Sequence, residues 1–224
     1  MKKQPLFTAL FLAACLTAKA QEPSAPAVPK PFNPPVSVEV FAGNKYTTFQ
    51  NFISKRFSEN SRLGFYHIVT YNVDNTSSLH NTLAVQSLLN FKVFDGFTPG
   101  IGGYINKNQF YPIAAAQYTY VKKSFFTTVL PTASVSSSAD VQSLLAIFQY
   151  RPQLGEQVKG YARLQCYDAF TGFDQSTFAY EQVRLGVEVK KVQFGLGVTF
   201  DQYQGKVDFQ DANLGFFVRK ELFN

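Results

Sequence analysis

From Gln182 to Asp201 apolar and polar side chains alternate along two consecutive segments. Val183, Leu185, Val187 and Val189 share one phase, against Gln182, Arg184, Gly186, Glu188 and Lys190 in the other. Val192, Phe194, Leu196, Val198 and Phe200 then oppose Gln193, Gly195, Gly197, Thr199 and Asp201. Successive strand side chains point to opposite faces, so each segment predicts a strand with one apolar and one polar side. Val158 to Tyr167 repeats the pattern, with Lys159, Tyr161, Arg163, Gln165 and Tyr167 on its more polar face. Residues 62–73 and 82–94 repeat it more weakly, through Leu63, Phe65, Val69 and Val73 and through Leu83, Val85, Leu89, Phe91 and Val93. No helical period of convincing length follows Val36; short runs rich in Val, Phe, Tyr and Thr are broken by Asn, Asp, Gly, Ser and Lys clusters.

The predicted strands lie near 36–43, 46–57, 62–73, 79–94, 97–106, 110–121, 125–136, 140–151, 156–168, 177–190, 191–201 and 206–222. Their even number puts both chain ends on one side. Connections at 95–96, 122–124 and 190–191 are short and fall on that side. The stretches Asp168 to Thr177 and Asp201 to Lys206 read as longer loops on the opposite side. Strands 110–121, 125–136 and 140–151 are apolar on both faces: Phe125 and Val129 oppose Phe126 and Leu130, and Leu145 and Ile147 oppose Leu144 and Phe148. That wall cannot simply border water. It packs against an internal segment, an apolar ligand, a partner, or side chains that fill the interior.

The N-terminus adds a compartment. Met1-Lys2-Lys3, the apolar run Leu6 to Leu16 and the small-x-small tripeptide Ala18-Lys19-Ala20 have the layout of a secretory signal peptide over residues 1–20. Leu12-Ala13-Ala14-Cys15 offers the alternative of lipidation at Cys15. Residues 21–35 hold six prolines and read as an extended linker, leaving 36–224 as the folded domain. Removing the leader takes three lysines from a net charge of +6, and a chain of about +3 without basic runs gives no case for nucleic acid. It also leaves Cys166 as the one cysteine, so no internal disulfide can hold the domain. No later stretch supplies the ~20 apolar residues of a transmembrane helix.

Exported, strand-rich, half-apolar segments with aromatics near their ends resemble small bacterial outer-membrane β-barrel proteins. The aromatics in question are Phe94, Phe97, Phe110, Tyr111, Tyr150, Phe200, Tyr203 and Phe223. The resemblance implies an all-β fold, a closed antiparallel transmembrane β-barrel of about 12 strands. It also implies residence in the outer membrane, with membrane lipid around the barrel and an envelope protein as a further candidate partner. Closure pairs every backbone group, as hydrocarbon demands. In that arrangement Lys159, Arg163, Arg184, Glu188, Lys190, Asp201, Arg219 and Glu221 point inward. They either pair into a structural plug or line a passage for a small solute. A structural or accessory subunit of an envelope assembly and a small-solute channel are therefore both expected functions. A soluble periplasmic barrel binding an apolar ligand is the alternative, with the apolar stripes turned inward.

Catalysis is not expected. His67 and Ser87 fall on neighbouring strands in the outward phase, nearly opposite across a hairpin centred near 76–77. The His-x-Ser spacing and polar orienter of outer-membrane phospholipases are missing. Two His and one mature Cys without matched carboxylates suggest no metal site, and no cofactor fingerprint occurs. Gly100-Ile101-Gly102-Gly103 reads as a sharp bend or close packing.

Overall fold

Val36–Gly43 shows how the barrel sorts its residues. Ser37, Glu39 and Phe41 are buried, while Val40 and Ala42 in the other phase are exposed. The computed structural model describes residues 33–106, 109–136, 141–172, 175–203, 206–207 and 212–222. The leader, most of the linker, Phe223 and Asn224 lie outside them.

The strands are β1 (Val36–Gly43), β2 (Tyr46–Arg56), β3 (Leu63–Asp74), β4 (Thr82–Phe91), β5 (Phe97–Asn106), β6 (Gln109–Lys122), β7 (Phe125–Ser134), β8 (Val141–Tyr150), β9 (Val158–Thr171), β10 (Gln175–Val189), β11 (Val192–Tyr203), the two-residue β12 (Lys206–Val207) and β13 (Asn213–Leu222). Each long strand pairs antiparallel with the next. β11 pairs with β13, and β13 pairs with β1 from Val36↔Leu222 to Gly43↔Gly215. Twelve long strands thus close into an antiparallel β-barrel, as the alternation predicts, and both ends of the ring meet at one seam.

The apolar stripes face out. Val40, Phe49, Leu63, Leu83, Leu89, Ile101, Leu185, Phe194, Leu196, Leu214, Phe216 and Val218 are all exposed on the outer surface. Inside, one half is polar. The other half is the cluster Phe52, Tyr66, Ile68, Leu88, Ile113, Leu130, Leu145 and Ile147. This explains the wall that is apolar on both faces: its inward residues fill the bore themselves, and its outward residues join the outer belt.

Three expectations need correction. The stretch Asp168 to Thr177 is not a long loop, because β9 runs to Thr171 and pairs with Gln175, with a bulge between Ser176 and Phe178. Ser176 Oγ donates to Asp168 Oδ1 at 2.7 Å, so local pairing absorbs the polar cluster that mimics a loop. The segment 79–94 begins with a 3-10 turn, Ser78–His80, before β4. The segment 206–222 is two strands rather than one.

Candidate functional site: the bore

β1 places Glu39 at the middle of the polar half, 2 % exposed. Three guanidinium groups converge on it. Arg184 Nε donates to Glu39 Oε1 at 3.1 Å. Arg163 Nη1 and Arg219 Nη1 reach Glu39 Oε2 at 3.4 Å and 3.5 Å. Arg219 Nη2 also donates to Ser37 Oγ at 2.6 Å, and Arg163 Nη2 to Gln50 Oε1 at 2.8 Å and to Gln165 Oε1. The Arg184 guanidinium lies 3.8 Å from the centre of the Phe41 ring, a cation–π contact in a desolvated place. Gly197 makes room for it, since a Cβ there would sit 2.6 Å from Arg184 Cδ.

These contacts cross the bore. Around the ring, β9 and β2 are five strand steps apart (β9, β10, β11, β13, β1, β2). The Arg163–Gln50 hydrogen bond therefore joins nearly opposite walls. A barrel of about 12 strands is wider than short side chains fill; here long Arg, Gln and Tyr side chains span it.

A second layer lies toward the chain ends. Arg151, just past β8, reaches Glu221 Oε1 at 2.7 Å and Glu188 Oε2 at 3.3 Å. Lys159 reaches Glu188 Oε1 at 3.4 Å, and Gln193 Nε2 donates to Glu188 Oε2 at 2.7 Å. At the other end Tyr46 donates its hydroxyl proton to Asp201 Oδ2 at 2.7 Å.

Of the eight inward residues expected from sequence, the structure groups Arg163, Arg184 and Arg219 around Glu39, and Lys159, Glu188 and Glu221 around Arg151. Asp201 faces inward but belongs to the far layer. Lys190 does not line the bore. It sits exposed in the two-residue turn Lys190-Lys191, with φ of 49° and 66°, because the strand period stops at Val189. Tyr111, expected at the membrane boundary, instead stacks inward on Tyr104. Phe94 and Phe97 do stack at their turn, with centroids 5.0 Å apart.

Sequence reasoning missed Glu39, Arg151, Gln50 and Gln165. The signal for Glu39 was present: one acid standing between valines in an otherwise clean alternation. Nothing local marks Arg151, which acts from a connection.

On the outer face His67 pairs directly with Ser87, and His67 Nδ1 lies 2.8 Å from Ser87 Oγ. Phe65 stacks on the imidazole, and among the described residues no carboxylate or amide orients it. A shallow apolar groove lined by Ser87, Leu89, Ile101, Gly103, Pro112 and Val135 runs beside the pair. Among the described residues no group of three or more His, Cys, Asp or Glu is placed to hold a metal ion.

The fold and its sorted faces define a twelve-stranded barrel of the outer-membrane type. No family model and no curated protein sequence matches the chain. Among solved structures it is similar to a KdgM porin, with 13% identity, 84% of this chain and 99% of that chain covered, and a TM-score of 0.47. It is similar to a NanC porin at 10% identity, with 84% and 100% covered and a TM-score of 0.47. It is also similar to LpxR from Salmonella typhimurium at 8% identity, with 84% and 99% covered and a TM-score of 0.43. At these identities the likeness is one of fold alone.

Proposed function

We propose that the chain resides in a bacterial outer membrane as a barrel with a closed bore, serving as a structural or accessory subunit of an envelope assembly. The carrying observation is the buried hub of Glu39 with Arg163, Arg184 and Arg219, tied across the bore to Gln50. Buried ion pairs that reach across the bore resist opening, because separating them strands a charge in low dielectric. The exposed aliphatic belt supports a lipid setting and weighs against the soluble alternative, whose apolar stripes would turn inward.

Planar-bilayer recording tests the closed bore. The wild-type protein is expected to stay silent, and replacing Arg163 and Arg184 together by Ala is expected to open measurable currents. Steady unitary currents from the wild type would overturn the reading. They would favour a small-solute channel, the second reading, which the excess of arginine over acid in the hub supports; the double variant would then shift the reversal potential instead. Extraction from an outer-membrane fraction should require detergent, with heat-modifiable gel mobility. Purification of the mature chain without detergent would overturn the location.

A further inference from the structure

Charge in the bore is balanced in one layer and not in the next. Near the chain ends Arg151 and Lys159 face Glu188 and Glu221, two against two. In the hub Glu39 is, among the described residues, the one carboxylate within ion-pair distance of three guanidinium groups, none with a side chain more than 8 % exposed. The Asp201 carboxylate does not relieve the excess, because it lies at the far end against Tyr46. Glu221, two residues from Arg219 along β13, is engaged by Arg151 at 2.7 Å. Arginine does not shed its proton in proteins, so the excess of guanidinium over directly bonded carboxylate in the hub cannot be removed by titration. Gln50 and Gln165 lend Arg163 only neutral carbonyl oxygens.

The donors carry the same message. Among the described residues, the Nε–H groups of Arg163 and Arg219 are buried without an acceptor. A buried donor left unmade costs about 1–3 kcal/mol, more for a charged group. Two such donors, on two of the three arginines that converge on one carboxylate, lack what a second anion would supply.

We propose that the hub is an anion-binding site that takes one compact monovalent anion, a halide or a small carboxylate, held by Arg163 and Arg219. Burial makes the site selective for size, and the guanidinium groups make it selective for charge. The site stands whether or not the bore conducts, so it does not depend on the proposed function.

The test uses the full-length mature protein in detergent and its Gln50→Glu variant. That substitution puts a carboxylate where Gln50 already accepts from Arg163, without removing a bore side chain. Thermal unfolding is followed in sodium bromide, sodium acetate and sodium gluconate at equal ionic strength. The wild type is expected to gain stability with bromide or acetate over gluconate, saturably, and Gln50→Glu is expected to weaken the apparent affinity about ten-fold or more through charge competition. A gain with bromide alone identifies a halide site; a gain with acetate as well extends it to carboxylates. Crystals grown in bromide should show an anomalous peak at the Arg163 and Arg219 side chains. Equal anion responses in the two proteins, or bromide bound only outside the hub, would overturn the proposal.

Discussion

Asn213 is fully buried and serves three backbone groups at once. Its Oδ1 accepts from Lys45 N at 2.9 Å and Tyr46 N at 3.4 Å, and its Nδ2 donates to Tyr46 O at 2.9 Å. It lies against Gly43, where a Cβ would stand 2.1 Å from Asn213 Oδ1. Asn213→Ala should cost about 1–3 kcal/mol by orphaning these groups, read as a lower urea midpoint for unfolding from lipid vesicles. Glu39→Gln should cost more, about 3–5 kcal/mol, because it leaves three buried cations around a neutral amide; an unchanged midpoint in the same assay would deny the hub its structural role. The arginines were legible from strand alternation, which assigns each to the inner face. Their common partner was not, because alternation says which wall a residue leaves and not which opposite wall it reaches. That depends on strand number and stagger, set only when the ring closes. Lys190 illustrates the reverse error: its parity was correct, but the period ends one residue before it.

At the scale of the element, the β10–β11 hairpin holds its register from Val189↔Val192 to Phe178↔Tyr203. Its turn places Lys190 and Lys191 at positive φ. Two-residue hairpins with that geometry favour Asn-Gly, since a Cβ is disfavoured in the left-handed region. Lys190→Asn combined with Lys191→Gly should stabilise the barrel by about 1 kcal/mol, seen as slower unfolding in urea. Strand positions were legible here because Val183 to Val189 and Val192 to Phe200 keep one face apolar. Around Thr171 and Gln175 they were not. Polar residues on both faces carry no alternation there, and the ladder is held by pairing that sequence does not display.

For the whole molecule, the decisive contrast is between the faces. Leu196 is 60 % exposed in the outer belt. Leu196→Arg should cost about 2–4 kcal/mol if hydrocarbon touches that face near its midplane, measured by reversible unfolding from lipid vesicles. A water-exposed leucine would tolerate the change with almost no effect, so the measurement separates the membrane reading from the soluble one. The interior is divided as well: one half carries the aliphatic and aromatic cluster around Tyr66 and Leu130, and the other carries the arginines that converge on Glu39.

The first strand and the last are neighbours, and Glu39 stands directly opposite Arg219 across their junction. An unfinished sheet keeps that acid on one free margin and its nearest base on the other, both still hydrated. The clasp can therefore snap shut only after the final segment of the polypeptide has arrived, so the most expensive dehydration is postponed to the end of assembly. A chain cut short before residue 213 would lack the latch altogether and would remain an open, wet-edged curl.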